Sequence, residues 1–219
     1  MSLTGAPAAR PMGFLSDIHG NLSALERVLD ELAMREVRDI WVAGDLLFGG
    51  DKPLEVWQLL SKVGAHCVRG LGDTALCMVD PDTLLPENEE ERSMSKLFVE
   101  TRRALGDLVV ERLRRLPEQL RIPLIDGSEI VMVHGSPVDA SLEMSHDMSD
   151  AELSALVGDD PADIVVCGGS HVPFRRDLDE LSIVNVGSVG AAPGGGLAHY
   201  AIITPRMDGA RVEALYAEL

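Results

Sequence analysis

Three short apolar runs, Gly13 to Ser16, Ile40 to Ala43 and His66 to Val68, each lead through a turn into a stretch with helical spacing. After the first run, Leu25, Val28, Leu29 and Leu32 recur on one helical face between Ala24 and Val37. Leu54 to Val63 follows the second run and Thr74 to Met78 follows the third. Repeated strand–helix–strand units of this kind point to a parallel sheet, because parallel neighbours need a crossover and the crossing helix then covers the sheet. Ser23-x-x-Glu26 reads as a capping box opening the first helix.

The second half changes character. Pro81 to Glu91 is acidic and rich in helix breakers, so it reads as a solvated loop, and a long helix from Ser93 to Leu116 follows and stops at Pro117. Leu120 to Ile125 and Glu129 to Val133 flank Asp126-Gly127, a strong hairpin signal. A helix is expected over Met148 to Val157 and a buried strand over Asp163 to Val166. Four short strands then close the chain: Phe174 to Asp177, Ser182 to Val186, Ala198 to Thr204 and Arg211 to Ala217. No internal repeat or composition break divides it. A chain of 219 residues can build one large core. A single domain over 12–219 is expected, with two packed sheets and outer helices. Residues 1–11 lack the cationic start and apolar run of a signal peptide and read as a disordered leader.

Composition narrows the partners. Hydrophobic residues at 46% and charged residues at 25% are ordinary for a globular protein. The longest apolar stretches, such as Ala75 to Val79, are far too short to span a bilayer, so no membrane partner is expected. A net charge of −17 opposes binding to duplex nucleic acid, which needs clustered Lys and Arg to displace counterions. It leaves room for a small phosphorylated substrate, because a bound cation can bring the positive charge that the side chains lack. Cys67, Cys77 and Cys167 sit in apolar surroundings without metal-type spacing, as buried thiols in a reducing cytoplasm would. Assembly into a homo-oligomer stays open.

The chemistry gathers at strand ends. Asp17-Ile-His19-Gly20-Asn21 follows the first strand, Gly44-Asp45 the second, and Gly70-Leu71-Gly72-Asp73 the third. His134-Gly135 follows Val133, and Gly168-Gly169-Ser170-His171 follows the run ending at Val166. Singly, Asp17 reads as a turn residue, Asp45 as a loop acid, and His134 or His171 as core histidines with satisfied rings. Five such segments at successive strand ends read differently. An Asp-x-His pair with a later Asp and two later histidines is an oxygen–nitrogen donor set suited to Mn, Fe or Zn.

The order of these segments resembles the calcineurin-like metallophosphoesterases, in particular their small bacterial phosphodiesterase branch. That family runs D-x-H, G-D, G-N-H/C-D, H, then G-H-x-H. Here "VMVHGSP" is similar to the fourth block, and "VNVGSVGAAPGG" resembles the N-P-G-S-V-G segment near the family's C-terminus. The resemblance covers nearly the whole chain. It implies an α/β fold, a four-layer α/β/β/α sandwich of two mixed sheets flanked by helices, with a dinuclear centre between the sheets' ends, of which this chain is expected to hold one or two divalent cations. Manganese is the foremost expectation, with Fe, Zn and Ni as alternatives. The activity implied is hydrolysis of a small phosphomonoester or phosphodiester through a metal-bound hydroxide.

Carried over by position, Asp17, His19 and His171 would hold the first cation, with Asp45 bridging to the second. Asp45 and His134 would hold the second, together with an Asn and a His at the positions of Leu71 and Gly169, neither of which offers a side-chain donor. Leu71 is expected to fill the space of the missing ligand. Gly72 stands where the family often has a His or Cys. Asp73 is retained and, with His134, is a catalytic candidate. The backbone around Gly70 and Gly72 and the helix start at Asn21 are candidate phosphate donors. Three readings follow: a weak, single-cation phosphoesterase; a non-catalytic binding or regulatory module; or a two-cation enzyme with substitute ligands from Asp73, Ser170 or His199. His66 and His146 have no place in the pattern, and Gly194-Gly195-Gly196 reads as a flexible turn.

Overall fold

Period-two alternation inside the strands decides what each sheet face packs against. The computed structural model describes residues 6–219. In it β1 (Met12–Leu15), β2 (Asp39–Val42) and β3 (His66–Cys67) run parallel, and β9 (Leu197–Thr204) and β10 (Arg211–Glu218) add an antiparallel pair beyond β1. The order is β10-β9-β1-β2-β3. The second sheet runs β4-β5-β6-β8-β7, built from β4 (Gln119–Pro123), β5 (Glu129–Val133), β6 (Ile164–Cys167), β7 (Phe174–Asp177) and β8 (Ser182–Asn185). Its centre, β5, β6 and β8, is parallel, with an antiparallel strand at each edge.

Met12 and Phe14 of β1 face Ile130 and Met132 of β5 and Ile164 and Val166 of β6 across one buried layer. Leu15 turns the other way, onto α1 (Leu22–Met34), α2 (Pro53–Val63), α3 (Leu71–Met78) and α4 (Glu89–Arg114). Val131, Val133, Val165 and Cys167 leave the inter-sheet layer for α5 (Asp150–Val157). Strands buried on both faces have no polar side, which is why these runs read as continuously apolar. The result is the expected α/β/β/α sandwich of two mixed sheets.

Local features differ from expectation. Asn21 caps α1 by accepting the Ala24 N–H, so no capping box forms at Ser23; the Ser23 hydroxyl donates to Asn21 Oδ1 instead. α3 opens at Leu71, three residues before Thr74. The expected loop over 81–91 holds a 3₁₀ turn at Pro81–Thr83 and the first turn of α4, capped by Asn88. α4 is broken at Gly106, whose φ of 67° is left-handed. Beyond the break, Arg114 reaches the Cys77 carbonyl, while Arg102 before it holds those of Leu76 and Val79, tying off the end of α3. The expected leader is partly seated: the Ala8 N–H donates to the Pro123 carbonyl and Ile125 N–H donates to that of Ala8. Residues 1–5 lie outside the described residues.

Phe14 is fully buried and stacks on Trp41 with ring centroids 6.3 Å apart. Phe14→Ala should therefore cost about 3–5 kcal/mol of stability in urea denaturation, through lost burial and an unfilled cavity between the sheets. An unchanged midpoint would contradict the inter-sheet core.

Candidate metal centre

The parallel strands of both sheets end at one edge of the sandwich, the usual place for a ligand in such sheets. Asp17 and His19 follow β1, Asp45 follows β2, His134 follows β5 and His171 follows β6. The backbone there is unusual. Five described residues other than glycine have positive φ, and four of them are Asp17 (53°), His19 (50°), Asp45 (51°) and His171 (61°). The fifth, Glu36, lies just past the end of α1. Such conformations cost free energy and persist where surrounding contacts impose them. Two glycines permit the close approach: a methyl built on Gly70 would lie 2.3 Å from the Asp45 amide nitrogen, and one on Gly168 would lie 1.9 Å from Ser16 Oγ.

All three histidines are oriented the same way. His19 Nδ1 lies 2.7 Å from the Phe48 carbonyl, His134 Nδ1 2.8 Å from that of Ala43, and His171 Nδ1 3.1 Å from that of Ala191. A carbonyl can only accept, so each Nδ1 donates and the neutral ring turns an Nε2 lone pair inward. Those nitrogens converge on carboxylates. Asp17 Oδ1 is 3.2 Å from His171 Nε2 and 3.7 Å from His19 Nε2, while Asp45 Oδ2 is 3.6 Å from His134 Nε2 and 4.0 Å from His19 Nε2. The Nε2 atoms of His19 and His171 face each other at 3.0 Å.

This arrangement fits a cation. Asp17 is fully buried, its Oδ2 accepts the Gly169 N–H, and its Oδ1 has no hydrogen-bond partner. Donor atoms of Asp17, His19 and His171 lie within 4.8 Å of one another, as do those of Asp17, Asp45 and His134. Lone pairs facing lone pairs at this range need positive charge between them, and carbonyl-anchored imidazoles are the usual supports of metal ligands. Without a cation, protons do part of that work. Burial alone would raise the Asp17 pKa, but the imidazoles of His171 and His19 hold it well below the carboxylate range. Burial would lower His19, yet the Asp17 carboxylate, the Phe48 carbonyl and the Asp45 charge push it up to about 9. His171 is raised by Asp17.

Other expected site residues are placed differently. Asp73 is fully buried; its carboxylate accepts the N–H groups of Leu46 and Gly70, which fixes the turns after β2 and β3. Burial and the Asp45 charge push its pKa up to about 7. It is a positioning residue, not the catalytic group expected. The expected phosphate donors are engaged too: the Gly70 N–H goes to Asp73, the Gly72 N–H to Asp45 Oδ1 at 2.7 Å, and the Asn21 amide to the Gly190 carbonyl. Leu71 does not fill a vacated ligand space; as the first residue of α3 it points outward and is 51% exposed. Among the substitute ligands, Asp73 is engaged as above and the Ser170 hydroxyl is held by Val172 and Asn185. His199, on β9, lies against Gly187.

Asn185 and Ser188, both inside the "VNVGSVG" segment, carry no local sequence signal for the roles they take. Ser188 Oγ donates to the Asp17 carbonyl and accepts the Ala191 N–H, and buried Asn185 holds the Gly168 carbonyl at 2.7 Å. A cleft of about 340 Å³ lies beside His19 and His171, and one of about 610 Å³ adjoins Gly70, Leu71 and Val133.

Residues 11–208 match the calcineurin-like phosphoesterase superfamily domain. The chain belongs to that superfamily. An uncharacterized protein of Methanocaldococcus jannaschii is 24% identical over 193 residues, covering 80% of this chain and 74% of its own. Among solved structures, a metallophosphoesterase from Sphaerobacter thermophilus is 27% identical with a TM-score of 0.72, over 96% of this chain and 90% of its own. A hypothetical protein from Pyrococcus horikoshii OT3 has the same fold, with a TM-score of 0.81 at 23% identity over 95% of this chain and 88% of its own. Within this calcineurin-like fold no described helix is long and apolar enough to cross a membrane.

Two predictions follow from the geometry. His19 keeps its proton up to about pH 9 in the cation-free protein, so cation binding must expel it. Cation affinity should tighten as pH rises toward about 9, and calorimetry in buffers of different ionisation heat should read net proton release at neutral pH. No release would contradict the assignment of His19. Leu71→Asn should shift the denaturation midpoint by no more than ~0.5 kcal/mol, because an exposed side chain is replaced. A larger loss would mean that Leu71 is packed.

Proposed function

We propose that the chain is a metal-dependent phosphoesterase acting on a small phosphomonoester or phosphodiester, with one firm cation site formed by Asp17, His19, His171 and Asp45. The observation that carries this is the set of three imidazoles anchored through Nδ1 with their Nε2 atoms turned onto the buried carboxylates. A divalent cation there supplies Lewis acidity toward a phosphoryl oxygen and lowers the pKa of water; the oxygen–nitrogen donor set suits Mn first, then Fe, Zn or Ni. Asp17 and Asp45 supply the anionic half of that site, and the Phe48 and Ala191 carbonyls hold His19 and His171 in register. In the singly loaded centre the Ala43 carbonyl fixes the His134 ring, which leaves its Nε2 to hydrogen-bond the phosphate or serve a leaving oxygen. The backbone N–H groups that would share the phosphate are engaged, and this favours slow turnover. Free thiols at Cys67, Cys77 and Cys167 accord with work in the cytoplasm.

A second reading, a cation-binding module without catalysis, draws on the absence of side-chain donors at Leu71 and Gly169. Protein stripped with a chelator and reloaded with Mn or Zn should hydrolyse an aryl phosphomonoester or bis-aryl phosphodiester. His19→Ala and His171→Ala should each lose cation affinity by more than the roughly 10–100-fold that follows loss of an outer hydrogen-bond partner. A reloaded protein with no hydrolysis would support the module. Unchanged cation binding in both variants would refute the ligand assignment.

A further inference from the structure

We propose that Glu143 supplies a donor to a second, weaker divalent-cation site with Asp45 and His134, on the side that Gly169 leaves without a ligand. The inference rests on the cation centre described above. A side chain built on Gly169 would meet Glu143 first: its Cβ would lie 3.3 Å from Glu143 Cβ and 3.8 Å from Glu143 Oε2. The carboxylate therefore stands in the direction that a residue-169 side chain would take.

Two features hold Glu143 there. Gly135, directly after His134, lets the following loop fold back, since a methyl at 135 would lie 2.6 Å from the Ala140 carbonyl oxygen and 2.7 Å from that of Leu142. The buried Asn185 amide then bridges the two segments, with its Nδ2 3.3 Å from the Met144 carbonyl oxygen and 2.7 Å from that of Gly168. Met144 is itself fully buried, which pins the chain beside Glu143. The Glu143 side chain is exposed and, among the described residues, makes no hydrogen bond or ion pair, so it is free to swing inward.

The receiving side is built. His134 is 2% exposed, its Nδ1 is committed to Ala43, and its Nε2 faces Asp45 Oδ2 at 3.6 Å, too far for a hydrogen bond. Asp45, His134 and one added carboxylate give three protein donors, enough for an oxygen–nitrogen site that takes water for the rest. The weakness follows from the same facts. Leu71 points outward and gives nothing, and the Glu143 carboxylate lies outside the 4.8 Å cluster of Asp17, Asp45 and His134, so an exposed side chain must be ordered on binding.

The test is a Mn(II) titration of chelator-stripped protein, followed by the electron paramagnetic resonance of free and bound Mn. The parent should take up two equivalents, the second more weakly, with spin coupling between them at saturation. Glu143→Ala and Glu143→Gln should each weaken the second equivalent by about 10-fold or more and abolish the coupling, with the first equivalent unchanged. His134→Ala should behave likewise. Thermal melts of the Glu143 variants should match the parent, since the side chain is exposed. A parent that takes up one equivalent only, or variants that keep the second unweakened, would overturn the role of Glu143 and leave the first site standing. No uptake by the parent would overturn both.

Discussion

One carboxylate oxygen, Oδ1 of Asp17, is fully buried with no hydrogen-bond partner, and the centre is arranged around it. An isolated buried charge of this kind costs several kcal/mol unless other groups compensate it. The rest of Asp17 is fastened on every side. Its N–H donates to Gly44 after β2, its carbonyl accepts from Ser188 and Gly190 after β8, and its Oδ2 accepts from Gly169 after β6. Strand ends from both sheets thus meet on one residue. The left-handed backbone at Asp17, His19, Asp45 and His171 is the conformational cost of that convergence, and a bound cation is the compensation that the geometry calls for.

Charge points the same way. Asp17, Asp45 and Asp73 crowd one edge of a chain that carries a net charge of −17, and the Asp45 charge helps to push Asp73 up to about 7. Among the described residues no arginine pairs with them: Arg69, the buried one nearby, is spent on Thr74, the Arg114 carbonyl and Glu118. An edge this acidic repels a phosphate dianion until cations reverse its sign. For the phosphoesterase proposed above, substrate affinity and cation loading would then be coupled.

The strands and the donor residues that the structure gathers at Asp17 and His19 were legible because both are local facts. Apolar runs with a fixed period give the sheet faces, and Asp-x-His directly after a strand puts two donors at its end. The remainder depended on contacts between distant segments. Nothing near Asn21 says that its amide serves both α1 and Gly190, and nothing near Glu143 says that Gly135 and Asn185 bring it to Gly169. Gly106 inside a helical pattern was visible as a glycine, but its left-handed φ goes with the packing of the two halves of α4 against α2 and α3. The segment "VNVGSVG" carried a signal whose roles, Asn185 bridging and Ser188 holding Asp17, only the three-dimensional arrangement explains.

The turn Gly70-Leu71-Gly72-Asp73 shows how a strand end can keep its shape with no side-chain donor at one position. Gly70 is needed because Asp45 presses against it, and Asp73 because it accepts the N–H groups of Leu46 and Gly70. The Gly72 N–H is needed because it fixes Asp45 Oδ1, which leaves Oδ2 for the centre. Leu71 alone has no structural duty: it opens α3 with its side chain toward solvent. A leucine there offers no donor and, being exposed, is not required by the packing of the fold. Gly169 differs, since its φ of 80° disfavours any larger residue and Glu143 already occupies the adjoining space. The two departures are therefore unequal. The one at 71 is chemical only, whereas the one at 169 is built into the packing around it, with Glu143 standing where a residue-169 side chain would go.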